Sequence, residues 1–337
     1  MSTEPQMLFI HGVLQRSGTN FLLDLLLLHS DCSAGGIFED YLLAGSPLLM
    51  RYVWTLTESW NSTWFDESRE GVRRKLVAAL GKELGSFCRL HSKPARWFVS
   101  KTPSTLHLDS CFDLFPSALV ILIVRDGRDV VESGIRTFGW RWEDAVRHWC
   151  TSAQRMLAMM DARADSRQVL LVRYEDLFLE TKREMKRILA FLGLDENRFD
   201  FRAADSLHVR GSCEFGRHDG SVVDWKPVAR TAEFSPMGRY CGWSTRRNQR
   251  FAWLAGEISA RLGYCVAQNA GRNLLTDLLD GSLDRYWETL RRAKELLFLL
   301  QRLLGRSAAD FSTGLAHYYE RSTGLGERSP SPLPVRK

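Results

Sequence analysis

The chain has 337 residues, 45% of them hydrophobic and 26% charged, which is the balance of a folded globular protein and excludes a fibrous or wholly disordered one. The formal net charge of +6 suits an anionic ligand; it would equally serve nonspecific adhesion to nucleic acid or membrane, and no RNA- or DNA-binding module is legible. Seven cysteines, odd in number and never spaced Cys-x-x-Cys, speak against a disulfide or zinc framework and fit a reducing cytoplasm.

Only six residues precede Met7, too few for a signal peptide. Met7–Val13 is a short apolar run that reads as a buried strand. A leucine-rich helix is predicted over Thr19–His29. Its apolar stretch Phe21–Leu28, broken by Asp24, falls well short of the ~20 residues a membrane span needs. A helix over Arg69–Leu90 follows, then strands over Trp97–Ser100 and Ala118–Val124. Helices over Arg128–Thr137 and Trp142–Ala164 lead to a fourth strand, Gln168–Val172, and a helix over Glu180–Leu192.

Strands alternating with helices imply an α/β fold of three layers, with a central parallel sheet and helices on both faces. Past Gly193 the sequence is loop-rich through Gly216–Arg230, then helical over Asn248–Leu262 and Leu283–Leu304. The last helix has Ser282 as a cap and apolar residues at 283, 286, 287, 290, 297, 300 and 304. Burial of that stripe against the domain is the leading expectation; a membrane surface or a second subunit, making a homo-oligomer, is the other. The predicted division is residues 1–265 as the α/β domain, 266–321 as a helical extension and 322–337 as a disordered tail rich in Pro, Ser and charge.

In parallel sheets ligands bind beyond the carboxyl ends of the strands. The four predicted ends deliver Arg16-Ser17-Gly18-Thr19, Lys101-Thr102-Pro103, Arg125-Asp126-Gly127-Arg128 and Arg173-Tyr174-Glu175-Asp176 to one edge. The first of these, in "GVLQRSGTNFL", is a glycine turn that feeds a helix. Such a turn aims backbone N–H groups and the positive end of the helix dipole at an anion. It lacks the Gly-Lys-[Ser/Thr] that holds an outer phosphate and magnesium, and so suits a terminal 5′-phosphate better than a triphosphate. A tight turn with no ligand is the alternative. In "VRDGRDVVESGI", Arg125 and Ser133 stand eight residues apart, about two helical turns, and could clamp a separate phosphate. An ion pair of Arg125 with Asp126 or Asp129 is the alternative there.

Together these segments resemble the sulfotransferases that use 3′-phosphoadenosine 5′-phosphosulfate (PAPS), and are closer to the bacterial and protein-tyrosine branches than to the cytosolic small-molecule branch. "VRYEDL", "FLGL" and "DWKP" extend the resemblance, in family order, over about residues 7 to 265. It implies a P-loop-like fold and metal-independent transfer of sulfuryl to a hydroxyl or amine of a small-molecule or glycan-like acceptor, releasing 3′-phosphoadenosine 5′-phosphate (PAP). By position, Arg16, Ser17, Gly18, Thr19 and Asn20 would grip the 5′-phosphosulfate, and Arg125 and Ser133 the 3′-phosphate. Tyr174 would line the adenosine site, Lys226 would touch the phosphates from a closing loop, and Lys101 would contact the departing oxygen.

The histidine base of the small-molecule branch is replaced by Pro103. In the branch with the "RSGT" loop, an acidic residue near this offset serves as base. Glu39, in "GIFEDYLL", is the first choice, with Asp40 or His107 as alternatives. Trp54, Trp60 and Trp64 could wall an acceptor site or pack in a helical cap. The histidines show no metal-ligand spacing.

Overall fold

The computed structural model describes residues 6–37, 39–210, 227–231, 234–266 and 273–303. Lys226, most of the predicted closing loop and the predicted tail 322–337 lie outside the described residues. Five parallel strands run in the order β2-β3-β1-β4-β5. They are β1 (Gln6–Gly12), β2 (Cys32–Ser33), β3 (Trp97–Thr102), β4 (Leu119–Val124) and β5 (Val169–Arg173). Four coincide with the predicted strands to within two residues. β2, too short to show any periodicity, was not predicted.

The helices are α1 (Thr19–Leu26), α2 (Ser46–Glu58), α3 (Arg69–Arg89), α4 (Cys111–Leu114), α5 (Gly127–Phe138) and α6 (Trp142–Ala162). After β5 come α7 (Tyr174–Leu179), α8 (Thr181–Leu192), α9 (Phe201–Asp205), α10 (Thr245–Arg261) and α11 (Leu274–Leu303).

Strand periodicity divides the core into two layers. Phe9, Val120, Leu122 and Val124 point to one face of the sheet, where they pack with Val130, Trp149 and Phe251 from α5, α6 and α10. Leu8, Ile10, Ile121 and Ile123 point to the other, against Phe21 and Leu22 of α1 and Ile188 and Leu189 of α8. The central strands β1, β3 and β4 are buried on both faces, as a sheet with crossovers on both sides requires, while the edge strand β5 is mostly half-buried. β1 lies between β3 and β4, so the chain turns to opposite sides after it. This switch point is where the strand ends open a crevice.

The C-terminal helix departs from expectation. Ser282 is no cap: α11 begins eight residues earlier, where Asn273 Oδ1 accepts from Thr276 N–H at 3.0 Å. The apolar stripe is not buried either, and Leu283, Tyr286, Leu297 and Leu300 are exposed. The helix is held by a polar face instead. Asp280, fully buried, pairs with Arg246 and Arg250, while Asp284 receives Arg147, Arg250 and the Trp253 indole. Sequence periodicity locates an apolar face but not the carboxylates that outbid it for the docking surface.

Candidate active site

The loop after β1 is shaped by two residues with positive φ. Arg16 has φ 72° and Gly18 φ 96°. At 18 only glycine fits, because a Cβ there would lie 2.1 Å from Cδ2 of Tyr174. The turn therefore brings its backbone flat against the Tyr174 ring at the start of α7 and aims the α1 N-terminus into the crevice. Ser17 is fully buried and its hydroxyl donates to Leu14 O at 2.7 Å. Its side chain thereby stiffens the loop.

A cavity opens over this loop. Its walls include Arg16, Gly18, Thr19, Asn20 and Glu39 on one side and Arg125, Tyr174, Arg210 and Arg239 on the other. Among the lining residues Glu39 is the single carboxylate against four arginines, so the interior favours an anion. Phe138, Tyr174 and Phe234 add flat apolar surface, as a purine needs.

Arg125 leaves the end of β4 and is nearly buried. One Nη donates to Arg16 O at 2.8 Å and the other to Pro236 O, and its guanidinium lies 4.9 Å from the Tyr174 ring centre. The anticipated alternative, pairing with Asp126, does not form: Asp126 caps α5 and holds Arg128 instead. The Nε–H of Arg125 is buried without an acceptor, an unmet donor of the kind that marks a ligand position. Ser133, two turns into α5 and fully buried, accepts from Arg16 Nε at 3.0 Å and from Arg239 Nη1 at 3.2 Å. The predicted pair thus meets the predicted loop across 117 residues of sequence.

Lys101, at the end of β3, is almost fully buried just beneath the cavity wall. Its ammonium donates to Asn20 Oδ1 at 2.6 Å and to Glu39 Oε1 at 2.9 Å. Burial pulls its pKa below the ordinary lysine value, with Glu39 opposing. Glu39 Oε2 also accepts from Tyr41 OH at 3.0 Å. Asp40 turns the opposite way. Ser100 Oγ, Thr102 Oγ1 and Leu42 N–H all donate to it, clamping the segment to β3, and it does not line the cavity. His107 opens a short 3₁₀ turn with φ 53° rather than standing inside a helix, and is also outside the lining. Trp54 and Trp64 are exposed, while Trp140 is buried.

Arg239, Phe234, Phe138 and Arg210 escaped sequence reading. Arg210 is paired bidentately with Asp24 of α1. Arg239 follows Gly238 in an irregular stretch, where only the Gly-Arg-Tyr turn hinted at a fixed arginine. Among the described residues no group of three or more His, Cys, Asp or Glu is placed to hold a metal, and no helix is long and apolar enough to cross a membrane.

A parallel α/β sheet with an anion-directed glycine turn at its switch point, cationic strand ends and one lysine–carboxylate pair defines a transferase acting on a phosphorylated nucleotide. Residues 6–198 match the model of a family described as "Sulfotransferase family", and the chain belongs to that family: it is a PAPS-dependent sulfotransferase. It is 26% identical over 267 residues to protein-tyrosine sulfotransferase 1 of Danio rerio, covering 77% of this chain and 72% of the relative. With protein-tyrosine sulfotransferase 2 of Gallus gallus it shares 30% over 202 residues, 57% of this chain and about half (52%) of the relative. A solved sulfotransferase domain from the curacin biosynthetic pathway aligns at 15% identity over 79% of this chain and 100% of that one, with a TM-score of 0.43.

Proposed function

We propose that the chain sulfates a hydroxyl acceptor with Glu39 as general base, and that the acceptor to test first is a tyrosine phenol in a polypeptide. The observation that carries this reading is the contact of Lys101 with Glu39 at the cavity wall, 2.9 Å apart. A carboxylate and a buried ammonium thus lie side by side, which supports a role for the pair in proton transfer and charge stabilisation. When bound, PAPS supplies the sulfuryl group and the phosphate that departs with the S–O bond electrons.

The chain's own groups have separable tasks. Arg16, the N–H groups of Ser17 to Asn20 and the Thr19 hydroxyl hold the 5′ end. Arg125 and Ser133 hold the 3′-phosphate, and the orphaned Arg125 Nε–H fits that need. Tyr174 and Phe234 flank the base, and Lys226 is assigned to the phosphates by sequence position. The Glu39 carboxylate takes the acceptor O–H proton. The Lys101 ammonium favours negative charge as it grows on the leaving oxygen, and so acts on the transition state more than on the ground state. A phenol, with a pKa near ~10, gives up its proton to a carboxylate more readily than an aliphatic alcohol does. The names of the relatives support that choice.

The division at about residue 265, between the α/β domain and its helical extension, belongs to the same proposal. So does a reducing, cytoplasmic setting, supported by the six described cysteines being free thiols. The test is transfer of labelled sulfate from PAPS to tyrosine peptides, glycans and small hydroxylated compounds in parallel. Label on the peptide phenol is the expected result. Transfer to glycans or small compounds alone overturns the acceptor, and transfer to none overturns the reading.

A further inference from the structure

The apolar residues of α11 keep a single register. Leu279, Leu283, Tyr286, Leu290, Ala293, Leu297 and Leu300 follow one another at alternating steps of four and three residues. Positions 283, 290 and 297 are then the a sites of a heptad repeat, and 279, 286, 293 and 300 the d sites. Such a period, held over three heptads, marks a helix shaped to pair with another helix.

The other faces of α11 have separate tasks. Asp280 and Asp284 hold Arg246, Arg250 and Arg147 of the domain, and the Trp287 ring centre lies 5.6 Å from the Arg147 guanidinium. Glu288, Arg291, Arg292 and Glu295 pair among themselves in solvent. Neither set occupies an a or d site, so the heptad seam is left bare. Leu279 is 58% exposed, Tyr286 57%, Leu297 59% and Leu300 52%, and Leu275 and Leu296, at the adjoining g sites, are exposed as well. Burying a leucine removes on the order of 100 Å² from water. The seam therefore offers several hundred Å², more than a monomer commonly leaves bare and close to the ~800 Å² each partner contributes to a standard interface.

We propose that this seam is an interface for a second copy of the chain, the two α11 helices packing as a coiled coil. The identical helix supplies the same spacing of knobs and holes over the same length. The g sites Ser282, Thr289 and Leu296 are uncharged, so two copies meet there without like charges. A lipid surface fits less well. α11 carries five acidic and five basic residues, whereas a helix that lies on anionic lipid has a basic polar face. Residues 288–303 extend past Asp280, Asp284 and Trp287, and a helix of about that length is marginal alone in water. Pairing supplies the apolar contact that keeps it helical.

Sedimentation velocity on the full chain, from ~1 to ~50 µM, tests this. The expected result is a rise from the mass of one chain to that of two. Leu297→Glu combined with Leu300→Glu puts charge on the seam away from the domain. This double variant should weaken self-association at least ~100-fold and leave near-ultraviolet circular dichroism unchanged. Arg292→Ala, off the seam, should leave the association as it was. Ala293→Leu fills a d site and should tighten it by roughly 10-fold, which keeps the test decisive even if the charged variant does not fold. A single-chain mass at every concentration overturns the proposal, as does association that neither the double variant weakens nor Ala293→Leu strengthens. Cosedimentation of a monomeric chain with phosphatidylserine vesicles, lost in the double variant, would assign the seam to lipid and overturn it too.

Discussion

Lys101 Nζ is bonded at once to Glu39 Oε1 at 2.9 Å and to Asn20 Oδ1 at 2.6 Å. One ammonium thereby ties the end of β3 to the first turn of α1 and to the segment leaving β2. The acid, the amide and the amine are fixed relative to one another before any ligand arrives, and such preorganisation is the main source of transition-state stabilisation in enzymes.

Replacing Glu39 by Gln keeps the shape and removes the proton acceptor. A positioned base contributes ~10²–10⁴-fold, so kcat should fall at least ~10²-fold while PAP affinity stays within a few-fold. His107→Ala, outside the cavity lining, should change kcat little. Steady-state kinetics with calorimetry decides, and an active Glu39→Gln beside a dead His107→Ala would move the base to the histidine.

The pH dependence follows from Lys101. Burial lowers its pKa, so the cation is lost at a lower pH than in a free lysine. Activity should decline on an alkaline limb that begins below the ordinary lysine range. Lys101→Arg should be slower but lack that limb, since a guanidinium does not titrate there. Stability takes the opposite sign: between the lowered folded value and the ordinary one the unfolded chain holds more protons, so this contribution rises with pH. Rate profiles and urea midpoints across that range check both signs.

Arg125→Ala should weaken PAP binding by about one to two orders of magnitude, through loss of charge-assisted hydrogen bonds of ~1.5–3 kcal/mol each. AMP binding should change much less. A calorimetric series that shows identical losses for the two nucleotides would sink the role of Arg125 at the 3′ position.

Turnover should survive EDTA. Arg16, Lys101 and Arg125 bring to the site the positive charge that magnesium supplies in triphosphate enzymes. Collapse in chelator with recovery on added magnesium would instead favour a phosphotransferase.

Gly18→Ala should destabilise the fold by ~2–4 kcal/mol, combining a left-handed alanine with overpacking against Tyr174. The penalty should shrink in a Tyr174→Leu background, where the ring is gone. Urea denaturation of the four proteins of this cycle measures the coupling, and a coupling of zero would mean that the ring does not set the glycine.

Much of this site was legible in the sequence because its residues sit where strands end. Arg16, Lys101, Arg125 and Tyr174 each follow a predicted apolar run within three residues, and the register of a parallel sheet brings such ends together. What stayed hidden depends on side-chain direction or on irregular chain. Glu39 and Asp40 differ only in which way each turns, and that is decided by the hydroxyls of Ser100 and Thr102 on the neighbouring strand. Arg239 lies in a stretch without periodicity, positioned by hydrogen bonds to a buried aspartate that no local pattern reveals. The leucine face of α11 was legible and misplaced, since ion pairs rather than leucines dock that helix.

The bond from Arg16 to Ser133 spans 117 residues, and that from Arg239 to Ser133 spans 106. During synthesis the glycine turn therefore emerges long before the groups that complete its work. A nascent chain that has passed α1 and β3 still lacks Arg125, and one that has passed α5 still lacks Arg239. The cavity that Arg16, Arg125 and Arg239 line together is complete only after residue 239 has left the ribosome and folded back.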